Sequence, residues 1–110
     1  MKLYKLDDMV KGWFVGNFIP TAFSTELCEV SIKKYKKEDH EERHMHKVGT
    51  EITVVTRGRV LMNKKEYGEG DILVIEPMET TDFKALTDTE TVVVKVPSVK
   101  GDKYIINDED

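Results

Sequence analysis

The chain has 110 residues, a mass of 12.7 kDa and a formal net charge of −4 at pH 7, which suits one domain with a modest core and leaves no room for two. Its single cysteine, Cys28, excludes a small secreted scaffold held by internal disulfides, and no apolar run reaches the roughly 18 residues that cross a bilayer. The acidic balance, with no extended basic face, excludes a typical nucleic-acid binder. We therefore expect a cytoplasmic protein that engages neither a membrane nor nucleic acid.

Short runs of β-branched residues, separated by turn residues, follow one another along the chain. Valine, isoleucine and threonine supply 30 residues, against 8 for alanine and leucine together, and β-branched side chains favour strands. The predicted strands span residues 12–18, 25–35, 51–56, 59–63, 66–67, 72–76, 81–86, 91–96 and 103–106. Because no helical pattern is available to cover an open sheet, we predict an all-β fold that closes as a small barrel or jelly roll.

The strand predicted over residues 25–35 alternates between apolar and polar side chains. Cys28 and Ile32 fall on one face, whereas Ser31 and Lys33 fall on the other. This period of two is typical of a half-buried strand. We therefore expect the apolar face, including Cys28, to lie in the core and Lys33 to lie in solvent.

Two strongly charged stretches are predicted to lie outside the strands. Residues 36–43 are expected to form a charged loop, with His40 in solvent. The acidic residues 108–110 are expected to be a loose tail. Residues 1–107 would then make up the single domain.

Two histidines and a glutamate have the spacing of a metal chelate. His44 and His46 are two residues apart, so on a strand they project from the same face and can reach one atom. Glu51 opens the next predicted strand after a short link, which lets the chain bring its carboxylate to the same point. Two imidazoles and a carboxylate suit a divalent ion such as iron, manganese, zinc or nickel. We predict that these three residues bind one such ion.

The wider pattern resembles a known family. The string His44-x-His46-x4-Glu51-x6-Gly58 resembles the first cupin motif in spacing and residue type, and residues 70–77, from a glycine to a proline, resemble the second. The two regions lie within residues 36–86, nearly half of the chain. The resemblance implies a single-domain cupin jelly-roll β-barrel with the divalent metal held inside it.

The second motif departs from the family at one position. The resemblance implies a fourth ligand, a histidine, two residues before the aromatic Phe83, and Thr81 stands there instead. Glu79 lies in the preceding turn, and the Asp82 side chain should point to the opposite face of the strand. The metal would therefore have three ligands from the protein and open positions for water and substrate.

Strand parity selects the side chains that should share the cavity with the metal. These candidate substrate-binding residues are Tyr35, Thr53, Met62 and Thr81. A register error of one residue in any strand would reverse its assignment.

Three functions are compatible with the sequence, and the sequence does not decide whether the protein is an enzyme. The first is a metal-dependent cupin that binds or transforms a small molecule such as a sugar derivative. In the second, residues 43–47, Arg-His-Met-His-Lys, resemble the metal-free dTDP-sugar ketoisomerases, which implies proton transfer by His44 and His46. The third is a cupin that binds a small molecule without catalysis.

The N-terminal aromatic segment, residues 12–23, is unusual in so charged a chain. Small cupins commonly dimerise through their N-terminal strands, and two-fold symmetry is the commonest closed arrangement of soluble chains. We therefore expect a homodimer that buries this segment.

Overall fold

The computed structural model describes residues 1–107, so the predicted tail at 108–110 lies outside the described residues. Two single-turn 3-10 helices, Leu6–Asp8 and Val10–Gly12, precede the strands. The strands are β1 (Trp13–Val15), β2 (Glu29–Tyr35), β3 (His40–Met45), β4 (Thr50–Arg57), β5 (Arg59–Met62), β6 (Lys65–Gly68), β7 (Ile72–Ile75), β8 (Thr81–Ala85), β9 (Thr89–Val96) and β10 (Tyr104–Ile105). Within the described residues, no helix has the length and apolar character needed to span a bilayer.

The ten strands form two five-stranded antiparallel sheets. Sheet A has the order β1-β2-β9-β4-β7, and sheet B has the order β10-β3-β8-β5-β6. Neighbouring strands often come from distant parts of the chain, as in the pairings of β2 with β9 and of β3 with β8. The predicted all-β architecture is confirmed.

The space between the sheets has an apolar and a polar part. The apolar core consists of Val55, Val60, Met62, Ile75, Phe83 and Ala85. Buried polar side chains occupy the remainder, among them His44, His46, Thr53 and Thr81. Because burying a polar group costs free energy unless it finds a partner, this polar part marks where chemistry or ligand binding is to be sought.

The structure corrects the assignment of faces in β2. Ser31 is fully buried, and Lys33 and Tyr35 line an internal cavity, so the polar face of this strand points inward. Cys28 is only half-buried and precedes the strand. The predictions of a core cysteine and a solvated Lys33 were therefore wrong. In a barrel with a polar interior, the polar face of an alternating strand can point inward and the apolar face outward.

The stretch predicted as a charged loop is also corrected. From His40 onward it is strand β3, although His40 itself is exposed as expected. Pairing with β8, in the register His40↔Lys84 and Glu41↔Phe83, satisfies the backbone of this highly charged segment. Tertiary pairing has overridden a composition that favours a loop.

Gly58, the last residue of the first motif, makes the turn between β4 and β5 possible. Its φ of +90° lies in a region that side-chain-bearing residues rarely adopt, and a Cβ there would collide with the backbone carbonyl oxygen of Asp88. The glycine of the motif is therefore needed for the backbone conformation of the turn that follows β4, the strand that carries Glu51.

Candidate metal centre and cavity

His44, His46 and Glu51 come together as the sequence predicts. His44 is in β3, His46 follows the end of that strand, and Glu51 is the second residue of β4. One ligand atom from each of the three side chains lies within 4.8 Å of the others. The two imidazole ring centroids are 5.4 Å apart, and both histidines are buried. The three side chains are arranged so that they can hold one metal ion.

The hydrogen bonds of the two histidines leave nitrogen lone pairs for a metal. His44 Nδ1 lies 2.8 Å from the backbone carbonyl oxygen of Glu42, and a carbonyl only accepts, so Nδ1 must carry the proton. Nε2 of His44 is then an acceptor. His46 Nε2 is buried without a hydrogen-bond partner among the described residues. An unsatisfied buried imidazole nitrogen beside a second free nitrogen and a carboxylate fits a divalent metal.

Glu51 is oriented by its neighbour on the same face of β4. The Thr53 hydroxyl donates a 2.9 Å hydrogen bond to Glu51 Oε2. This bond leaves the second carboxylate oxygen free. Thr53, which strand parity placed in the cavity, is therefore held against the candidate ligand.

His46 is in an environment that keeps it neutral. Burial, assisted by the nearby Lys95 ammonium and opposed by Glu51, lowers the pKa of His46 to about 4. A histidine must be neutral to donate its lone pair to a metal. The environment therefore supplies the ligand form of this side chain at neutral pH.

The link between His46 and Glu51 is fixed by a distant carboxylate. Asp102 accepts hydrogen bonds from the backbone N–H groups of Lys47 (2.9 Å), Val48 (3.1 Å) and Gly49 (2.8 Å). Burial alone would raise the pKa of Asp102, but these N–H groups outweigh it and hold the pKa below its usual range. This set of three hydrogen bonds, the Asp102 clamp, positions the two flanking ligands. The local sequence around the histidines does not predict it.

The candidate ligands border a cavity of about 180 Å³ between the sheets. His44 and Glu51 line it, and so do all four residues that strand parity assigned to it, Tyr35, Thr53, Met62 and Thr81. His46 lines a neighbouring hollow of about 150 Å³, which shares Lys95 and Lys103 with the cavity. The four residues share a cavity wall, and their role in binding a substrate stays a prediction.

Thr81 lies in β8, directly across from His44 in the register of β3 and β8. It is buried and lines the cavity. The two nearby carboxylates are engaged elsewhere: Asp82 accepts a hydrogen bond from the backbone N–H of Asn63, and Glu79 accepts one from that of Glu76. Thr81, and neither of these carboxylates, is the residue that lies opposite His44.

A network around Glu41 lies in the same cavity. The Tyr35 hydroxyl donates a 2.8 Å hydrogen bond to Glu41 Oε2, and Lys103 Nζ lies 3.5 Å from Oε1. Burial would raise the pKa of Glu41, but the Lys33 ammonium and these two contacts hold the pKa below its usual range. Burial and the adjacent carboxylate raise the pKa of Tyr35, so its hydroxyl stays protonated.

Two lysines of sheet A flank the indole of Trp13. Lys33 Nζ lies 5.1 Å and Lys95 Nζ 5.0 Å from the ring centroid. All three residues line the cavity. Burial lowers the pKa of Lys33, and the positive charges of Lys95 and Lys103 lower it further, against the opposing effect of Glu41.

The sequence pattern did not indicate these lysines, Glu41 or Asp102 as residues of the site. One signal was available for Lys33, because it shares strand parity with Tyr35, which was placed in the cavity. Lys95 lies opposite Glu51 only through the pairing of β9 with β4. Asp102 is far from the loop that it clamps, so no local pattern could have found it.

No protein-family model matches the sequence, and no curated protein is significantly similar to it. Solved structures do match. An uncharacterised protein from Klebsiella pneumoniae subsp. pneumoniae with a double-stranded β-helix domain aligns over 74% of this chain and 71% of its own, at 18% identity and a TM-score of 0.68. An RmlC-like cupin from Shewanella frigidimarina aligns over 69% of this chain and 71% of its own, at 15% identity and a TM-score of 0.65.

A third similar structure carries a metal. The bacterial pirin YhhW from Escherichia coli, in complex with nickel(II), aligns over 80% of this chain and 39% of its own, at 16% identity and a TM-score of 0.66. At these identities the likeness is one of fold. The chain has the double-stranded β-helix fold of the cupins, and the fold predicted from its two motifs is confirmed.

Proposed function

We propose that this chain is a small metal-binding cupin in which His44, His46 and Glu51 hold one divalent ion that faces a small-molecule cavity. The observation that carries the proposal is the donor set. Two imidazole nitrogens and a carboxylate oxygen lie within 4.8 Å of one another, and one of these imidazoles has a buried Nε2 without a partner in the described chain. Iron, manganese, zinc and nickel all accept such ligands.

The surrounding residues support the ligands in distinct ways. The Glu42 carbonyl fixes the ring and tautomer of His44, and the Thr53 hydroxyl fixes the carboxylate of Glu51. Partners of this kind orient metal ligands and raise their basicity. The backbone N–H of Met78 donates a 2.7 Å hydrogen bond to the carbonyl oxygen of His46, which anchors that residue beyond the strand end.

The cavity supplies the place for the small molecule. When bound, a divalent ion at this position would contribute Lewis-acid or oxygen-activating chemistry. Tyr35, Met62 and Thr81 would contact the molecule, with Thr81 leaving open the space that a fourth ligand would fill. A sugar derivative is one class that a mixed polar and apolar wall of this kind accommodates.

Elemental analysis of protein purified without an affinity tag tests the proposal. We expect one equivalent of iron, manganese, zinc or nickel in the unaltered chain and its loss in His44→Ala and Glu51→Gln. The matched control is His40→Ala, because His40 is the exposed third histidine of the chain and lies in the same strand as His44. Equal metal content in all four proteins would overturn the proposal.

The same experiment separates the metal proposal from the two other functions, proton transfer and binding without catalysis. If the unaltered chain binds no metal even after anaerobic reconstitution, the metal proposal fails. Proton transfer by the histidines on a nucleotide sugar, or binding without catalysis, would then be the functions to test. Binding of dTDP-sugars would be measured next by calorimetry in that event.

A further inference from the structure

The cavity beside the candidate ligands is richer in positive charge than the protein as a whole. The chain has a net charge of −4. Four lysines nevertheless line the cavity, against three carboxylates: Lys11, Lys33, Lys95 and Lys103 against Glu41, Glu51 and Asp82. A divalent ion at Glu51 would add to the positive side. Charge of one sign gathered in a cavity attracts ligands of the opposite sign.

Two of these lysines, Lys33 and Lys95, lie beside the same indole ring. Both ammonium groups lie about 5 Å from the centroid of the Trp13 ring, so their nitrogens are no more than about 10 Å apart. Lys103 is already paired with Glu41. Among residues 1–107, neither Lys33 Nζ nor Lys95 Nζ has a carboxylate within ion-pair distance. Two ammonium groups without a direct ion pair therefore line the same cavity.

This wall is adjacent to the candidate metal ligands. In the register of β4 and β9, Lys95 is the direct partner of Glu51. Cross-strand partners project from the same face of a sheet, with Cβ atoms about 5 Å apart. Lys33 lies one strand further along sheet A, on β2, opposite Thr91 of β9. A molecule held by these lysines would therefore lie within reach of the metal position.

We propose that the cavity binds a small organic oxyanion, with carboxylate or phosphate oxygens held by the ammonium groups of Lys33 and Lys95 beside Trp13 and the rest of the molecule directed towards the metal position. This inference rests on the proposed function in one respect, because it places the ligand in the cavity that the metal ligands border. It adds the chemical class of that ligand and the residues that select it.

The physical reason is the cost of placing two partly buried ammonium groups close to each other without a direct ion pair. Half-buried ammonium groups lose hydration and repel each other, and a bound oxyanion would offset both costs. Carboxylate and phosphate oxygens accept charge-assisted hydrogen bonds from ammonium groups. A neutral molecule of the same size would leave them unpaired, so charge would decide which ligands bind.

Trp13 provides the measurement, since it is the only tryptophan in the chain. We would titrate metal-loaded protein with malonate and with inorganic phosphate and follow the Trp13 emission, with malonamide as the uncharged counterpart of malonate. We expect a saturable change with at least one anion and none with malonamide. The anion with the lower Kd would identify the ligand as a carboxylate or a phosphate. No saturable change with either anion would overturn the inference.

Variants locate the binding site. Lys33→Gln and Lys95→Gln should each raise the Kd by about tenfold or more, because each removes one of two charges that contact the anion. Lys34→Gln is the matched control, since Lys34 is the next residue of β2 and is exposed on its other face. Calorimetry on the same proteins is needed because Lys33→Gln and Lys95→Gln also alter the surroundings of Trp13. Equal Kd values in all variants would overturn the inference.

The metal and anion proposals can fail separately. Metal content is measured on every sample, and the anion titration is repeated on His44→Ala. Lysine-dependent anion binding by a protein that holds no metal would refute the metal proposal and leave the anion site standing. Stoichiometric metal without lysine-dependent anion binding would refute the anion site alone.

Discussion

Replacing Asp102 with alanine should loosen the metal centre without touching a ligand. The carboxylate accepts hydrogen bonds from three consecutive backbone N–H groups, those of residues 47–49, in the link between His46 and Glu51. Asp102→Ala removes all three bonds. The link would then be free to move, and the two ligands that flank it would no longer be held at a common point.

The magnitude follows from the burial of these groups. Gly49 is buried, so its N–H would lose a charge-assisted bond worth about 1.5–3 kcal/mol. Lys47 and Val48 are exposed, and water can replace their partner at a cost of about 0.5 kcal/mol each. The total is about 3 kcal/mol, or a fall in Tm on the order of 10 °C in a domain of this size. Metal affinity should fall about 10- to 100-fold, as for other groups that orient ligands.

Thermal unfolding of metal-free protein and competition with a zinc chelator measure the two effects. Asp88→Ala is the matched control, because Asp88 accepts one hydrogen bond, from the backbone N–H of Lys37, in an exposed position away from the ligands. We expect its Tm to change little and its metal affinity to stay the same. If Asp102→Ala loses stability but keeps its metal affinity, the clamp stabilises the fold without positioning the ligands, and the reasoning is refuted.

The same clamp should appear in the acid stability of the protein. The pKa of Asp102 is lower in the folded state than its usual value of 3.8. A depressed pKa contributes stability that is present above the usual value and is lost as the pH falls through the folded value. As the pH falls below about 4, the free energy of unfolding should therefore fall more steeply in the unaltered chain than in Asp102→Asn. Parallel curves would contradict this assignment.

Two further predictions concern the fourth ligand position and the assembly. Thr81→His should tighten zinc binding by about 100-fold, since each ligand of a four-ligand zinc site contributes about 3 kcal/mol. Lys84→His, at an exposed position of the same strand, should leave the zinc affinity unchanged. Equal zinc affinities of Thr81→His and the unaltered chain would show that position 81 is not available to a ligand. Sedimentation should give twice 12.7 kDa, because Ile19 and Phe23 of the N-terminal segment are 96% and 66% exposed in the single chain. Phe23→Asp should then yield monomers, and a monomeric unaltered chain would refute the dimer.

The local pattern of the sequence is sufficient for the fold class and for the candidate ligands. β-Branched residues favour strands wherever they occur, and the spacing of His44 and His46 places them on one face of β3 and its extension. Glu51 follows after a link of residues 47–50, which is too short to separate its side chain from the two histidines. These relations involve neighbouring residues, so they can be recognised without knowing how the sheets pair.

The faces of the strands depend on what fills the interior. Alternation along β2 is clear in the sequence, but alternation does not say which face is inward. In this barrel the inward face is polar, and it brings Lys33 and Tyr35 to the cavity. An apolar interior face is the right expectation for an ordinary hydrophobic core. It was wrong here because the interior of this barrel holds a candidate binding site.

Only the tertiary structure decided the surroundings of the metal ligands. The pairing of β9 with β4 places Lys95 opposite Glu51, and Asp102 clamps a loop that precedes it by 53 to 55 residues. Such contacts form only when distant parts of the chain come together, and the sequence around one partner does not predict the other. Composition and spacing therefore determined the strands and the donor set, whereas the sheet pairing determined the charge, the orientation and the support of the site.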